Sequence, residues 1–131
     1  MAQRATSSFT LDKKDFTPAE WVGGAMMRAR YEKTFTGDLS GQSIVEATLL
    51  RTDDEGPAVY VAIERFECTL HGRTGSFLLL HRAMQPGESA WTIAEGTGQG
   101  ELAGIQGSGE ITPGHEFFLD YEIRSAESTM T

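Results

Sequence analysis

At 131 residues with a single cysteine, the chain is long enough to bury a real core in one domain and excludes an internal disulfide, which fits a reducing compartment. A formal net charge of −8, with the basic residues scattered, excludes a nucleic-acid backbone as partner, because phosphate binding needs clustered cations. No apolar run is long enough to span a bilayer and Met1 to Thr10 holds no stretch of signal-peptide length, so no membrane partner is expected and the chain reads as a soluble, cytoplasmic protein.

Arg4 to Leu11 alternates weakly and is a first strand. Asp12 to Gly24 is a polar connection. Within it, Thr17-Pro18-Ala19-Glu20 has the form of a helix start, with Thr17 as cap and Pro18 in the first turn, stopped at Gly23-Gly24. A second strand, Ala25 to Phe35, places Met27, Ala29, Tyr31, Lys33 and Phe35 on one face. Thr36 to Gly41 is a turn segment with two glycines. A third strand, Gln42 to Arg51, alternates Ile44, Glu46 and Thr48 with Val45, Ala47 and Leu49. Thr52 to Pro57 is a charged turn.

Two long β-rich runs follow, Ala58 to Leu70 and Arg73 to Met84, around His71-Gly72. That is a β-hairpin with a two-residue turn. In this register Leu70 faces Arg73, Glu64 faces Leu79 and Ala62 faces His81. Tyr60, Glu64, Phe66, Phe77, Leu79 and His81 then share one face, since directly opposed residues lie on the same side of a sheet. Val59, Val61, Ile63, Arg65, Leu78, Leu80 and Arg82 share the other.

Gln85-Pro86-Gly87 turns the chain into a sixth strand, Glu88 to Glu95. The glycine-rich stretch from Gly96 to Gly109 is a tight connection, and a seventh strand starts within it near Ile105 and runs to Thr112. Pro113-Gly114 leads to an eighth, Glu116 to Arg124. Residues 1–125 form one domain, and the remainder reads as a tail. Eight strands in meander order, several of them long, predict an all-β, eight-stranded antiparallel barrel, which removes exposed sheet edges and holds either packed side chains or one small ligand.

The segments Lys33 to Gly41, Tyr60 to Phe66, Gly72 to His81 and Gly98 to Gly104 resemble, in the same order, a bacterial family of small proteins called domain of unknown function 3224. The resemblance covers Arg4 to Ile123 and implies a barrel like that of allene oxide cyclase. Gly98, Gly100, Leu102, Gly104 and Gly107 also match the glycine turn of cyclase and dirigent barrels, with Gln99 where those carry a small hydroxyl residue. The family has no established active site, so no catalytic residue carries across.

Tyr60, Glu64, Phe66 and His81 are the candidate ligand-binding residues. A Glu–His pair inside a barrel has the chemistry of an acid and a base, and an unpaired buried carboxylate would have a raised pKa. The structural alternative is a hydrogen-bonded pair that only holds the barrel's shape. No metal or cofactor is expected, because His71, His81 and His115 lack ligand spacing and Gly98-x-Gly100-x-x-Ala103 lacks the strand-to-helix context of a dinucleotide site. Cys68 is a packing residue on its strand. Three functions are compatible with these residues: a barrel binding a small apolar molecule, a cyclase- or isomerase-like enzyme, and a filled structural barrel. The second apolar face of the hairpin predicts a homo-oligomer, unless Phe16 and Trp21 fold over it.

Overall fold

The computed structural model describes residues 2–19, 24–52, 58–85 and 87–124. They form β1 (Gln3–Ala19), β2 (Ala25–Gly37), β3 (Leu39–Arg51), β4 (Ala58–Leu70), β5 (Arg73–Gln85), β6 (Ser89–Ile93), β7 (Gln99–Gly100), β8 (Ile105–Ile111) and β9 (Glu116–Ile123). The strands pair in the order β4-β3-β2-β1-β9-β8-β6-β5, and β4 pairs back to β5. The result is a closed eight-stranded antiparallel barrel with one extra two-residue strand, β7, laid on β5 at Gly75 and Ser76. No helix long and apolar enough to cross a membrane occurs among the described residues. The C-terminal tail, Trp21 and the turn at Asp53 to Pro57 lie outside the described residues.

The central hairpin has the register expected from its two-residue turn. Leu70 pairs with Arg73, Glu64 with Leu79 and Ala62 with His81. His71 and Gly72 both take positive φ, 47° and 84°, as a tight hairpin turn of this kind demands. Alternation then sends Ala62, Glu64, Phe66, Phe77, Leu79 and His81 inward, all of them buried.

The barrel is filled unevenly. Toward the His71-Gly72 end, Phe35, Phe66, Phe77 and Phe117 close the lumen. Phe66 stacks on Phe77 at 4.8 Å between ring centroids and on Phe117 at 5.5 Å. Toward the other end, Ala29, Ala47 and Ala62 lie side by side across three strands, with Phe16 paired to Ala29 and His81 paired to Ala62. With Val45 these small side chains form a second buried cluster, and Tyr31, Leu49 and Tyr60 pack against it.

Strand lengths make the opening. β9 pairs only with Gln3 to Ser8 of β1, whereas β1 continues along β2 as far as Ala19. Beyond Phe9, whose N–H donates to the His115 carbonyl at 3.0 Å, β1 has no strand partner on its other side among the described residues. The barrel wall is therefore incomplete between upper β1 and the ends of β6 and β8.

Two local expectations are corrected. Thr17-Pro18-Ala19 is strand, not a helix start, because these residues pair with Arg28, Met27 and Met26 of β2. Pro18 is tolerated there because this part of β1 is a sheet edge. Gly41 is not in a turn but inside β3, facing Phe35 and Cys68 on its neighbours. Its φ of 140°, and the collision of any Cβ with the Glu67 carbonyl, explain why glycine occupies that strand position. In the glycine-rich connection Gly104 plays the same part: φ is 86°, and a Cβ would strike the Arg124 carbonyl oxygen.

Phe16 does not fold over the outer face of the hairpin. It points to the mouth and meets Tyr31 edge-on at 5.8 Å. Val61, Ile63 and Leu80 on that outer face are exposed.

Candidate functional site

Glu64 is the most deeply buried charged group among the described residues, with 0% of its surface accessible. Its Oε1 accepts from His81 Nε2 at 2.7 Å. Its Oε2 accepts from Ser43 Oγ at 2.5 Å and lies 3.3 Å from Lys33 Nζ. The sheet explains this convergence: Ser43 and Lys33 are directly paired on β3 and β2, one inward step along from the Tyr31–Val45–Glu64 row, and His81 is diagonal to Glu64 on β5.

Burial alone pushes the Glu64 carboxyl up. The His81 hydrogen bond, the Lys33 and His81 charges and the Ser43 hydroxyl pull it down more strongly, so Glu64 is held below its ordinary value and is ionised. An ionised carboxylate only accepts, so His81 carries its proton on Nε2. No side-chain nitrogen or oxygen among the described residues is buried without a partner. His81 Nδ1 has no hydrogen bond among the described residues, and the His81 ring borders the cleft at the barrel mouth.

That cleft encloses about 540 Å³. Its apolar walls include Phe9, Phe16, Trp91 and Ile111, and its polar groups include Tyr60, His81 and Lys33. Tyr60 and Trp91 approach the His81 ring edge-on at 6.3 and 6.0 Å between centroids. Burial, then the neighbouring Tyr31 and Glu64, raise the Tyr60 phenol, so it is a neutral donor at ordinary pH. Lys33 Nζ lies 4.5 Å above the Phe9 ring, and His115 stacks on Phe9 at 4.8 Å.

The four residues picked from the sequence therefore separate. Tyr60 and His81 line the cleft. Glu64 stands one hydrogen bond behind it, with both oxygens taken. Phe66 lies in the packed half, in contact with Phe35, Phe77 and Phe117. Sequence reasoning did not assign a site role to Lys33, Ser43 or Trp91. Lys33 carried a signal: a lysine on the inward face of a strand, between Tyr31 and Phe35, needs a buried counter-ion.

The other two histidines are elsewhere. His71 bonds the Tyr121 hydroxyl through Nδ1 at 2.5 Å and faces Asp38 from Nε2 at 3.6 Å, at the packed end of the barrel. His115 is on the cleft rim. No group of three or more His, Cys, Asp or Glu able to hold a metal ion occurs among the described residues. Cys68 is buried, and burial pushes its thiol up to about 12, which leaves it an unreactive packing group.

No curated protein matches the chain. Among solved structures, it is similar to a protein of unknown function from the DUF3224 family of Shewanella oneidensis MR-1, with 29% identity over 95% of this chain and 100% of that one, at a TM-score of 0.79. The family model described as "Protein of unknown function (DUF3224)" matches residues 5–124, from the first strand of the barrel to the end of the last, and the chain belongs to that family.

Proposed function

We propose that the protein binds a small, largely apolar molecule in the mouth of its barrel. One observation carries this reading: the lumen is plugged by stacked aromatic rings at one end, a cleft of about 540 Å³ opens at the other, and His81 and Tyr60 converge on the opening. Pockets that are apolar with a few aimed polar groups are the usual form of a small-molecule site, and barrel mouths are a usual place for them. Tyr60 and His81 touch the ligand, Glu64 and Lys33 hold His81 and the floor in position, and Phe66 walls off the packed half.

A second reading has its own support. A carboxylate holding one nitrogen of an imidazole that lines a cleft is the geometry of a positioned base. On an allene-oxide-cyclase-like barrel, this would make the protein a cyclase- or isomerase-like enzyme in which His81 Nδ1 moves a proton on a hydrophobic substrate. Glu64 itself, with three donors on two oxygens, is unsuited to that task. Fold likeness alone does not license a reaction, so binding stands first.

We also propose that the chain self-associates through Val61, Ile63 and Leu80. Exposed neighbouring apolar side chains on one sheet face support it, as does the placement of Phe16 in the mouth instead of over them.

Native mass spectrometry of the purified protein tests both proposals. The expected spectrum shows an oligomer of the 14.3 kDa chain carrying a small-molecule adduct that denaturation releases. Ile111→Trp, which places a large ring at the rim, is expected to remove the adduct and leave the subunit count unchanged. Ile63→Lys is expected to yield monomers that retain the adduct. A bare parent protein that also fails to take up apolar compounds on titration would refute the binding reading. A monomeric parent would refute self-association.

A further inference from the structure

We infer that the ligand of the cleft is an acid: an apolar, ring-sized molecule bearing one anionic oxygen group. The inference rests on the reading of the cleft as the ligand site and adds the chemical class. Among the described residues, the ionisable groups lining the cleft are Lys14, Lys33, His81, His115 and two phenols, with no carboxylate among them. This is the reverse of the whole chain, in which 19 acidic residues outnumber 11 basic ones.

Glu64, the carboxylate hydrogen-bonded to the cleft-lining His81, is not available to a ligand. It has no accessible surface and is occupied by His81, Ser43 and Lys33. It compensates one cation, Lys33. Lys14, exposed at the rim on the same side of β1 as Phe16, has no ion pair among the described residues. An ammonium at an apolar mouth, with phenol donors in the same cleft and no carboxylate among the described lining residues, attracts a carboxylate or similar anion and disfavours a cationic ligand. The apolar body is assigned to the aromatic walls, where Phe16 and Trp91 flank the opening.

Calorimetric titration with three probes of one shape tests this: 2-naphthoate, its neutral amide 2-naphthamide, and 2-naphthylmethylammonium. The acid is expected to bind about five- to tenfold more tightly than the amide, the margin of a charge-assisted contact over a neutral one. The ammonium compound is expected to bind weakest. Lys14→Ala, a change at an exposed position, is expected to weaken the acid by about two- to fivefold and to leave the amide unchanged. Equal binding of acid and amide, or preference for the ammonium, overturns the anionic assignment while the cleft remains a binding site. Binding of none of the three overturns both.

Discussion

Glu64→Gln is expected to cost about 3–5 kcal/mol of folding stability, the usual cost of removing one partner from a buried ion pair. The loss is large because of what remains. Lys33 is 7% exposed and would be left beside the Phe9 ring without a counter-ion. His81 Nε2 and Ser43 Oγ would compete for one amide oxygen where two carboxylate oxygens had served three donors. Urea unfolding measures the change. Adding Lys33→Met removes the stranded charge and is expected to recover most of the loss. If the double variant were no more stable than the single one, the ion cluster would not be the origin of the effect.

The same cluster predicts an acid dependence with a definite sign. The folded-state pKa of Glu64 lies below its ordinary value of 4.5. A depressed carboxylate contributes stability that is present above the unfolded pKa and lost as pH falls through the folded one. The stability gap between parent and Glu64→Gln is therefore widest above pH 4.5 and narrows in more acid solution. A gap that stayed constant down to strong acid would show that Glu64 does not titrate as a held carboxylate.

Phe66→Ala has the second large effect, about 3–5 kcal/mol, the range for truncating a fully buried aromatic ring. Phe66 has no accessible surface and meets Phe35, Phe77 and Phe117 within 5.5 Å of their centroids. Removing it opens a cavity in the half of the lumen that is otherwise filled, where strands paired on both sides cannot collapse inward. Phe16→Ala supplies the control. That ring is 50% exposed at the mouth, so its loss is expected to cost far less stability and to be felt in ligand affinity. Thermal and urea unfolding of the two variants together separate the packed half from the open half. Equal costs at the two positions would contradict the division.

Much of the barrel was legible from residue order. The period-two patterns of Met27 to Phe35, Val45 to Leu49 and Phe117 to Ile123 identify inward faces, and the two-residue turn at His71-Gly72 fixes the pairing of Glu64 with Leu79 and Ala62 with His81. Both are local: a strand's faces follow from its pleat, and a tight turn leaves one register. The Glu64–His81 contact was legible for that reason, since both partners belong to one hairpin.

Other features depended on partners distant in sequence. The extension of β1 to Ala19 was hidden because its register shifts between Leu11 and Lys13, at Asp12. Phe9 and Leu11 face the cleft before the shift, and Lys14 and Phe16 after it, so the simple alternation breaks where the mouth begins. The opening itself comes from a mismatch between β1 and β9, strands at opposite ends of the chain. The meeting of Lys33 and Ser43 at Glu64 requires β2, β3 and β4 to lie side by side and curve together. The alternation of each strand shows which side chains face inward; only closure of the barrel decides which of them meet there, because that depends on long-range pairing and curvature that no single segment encodes.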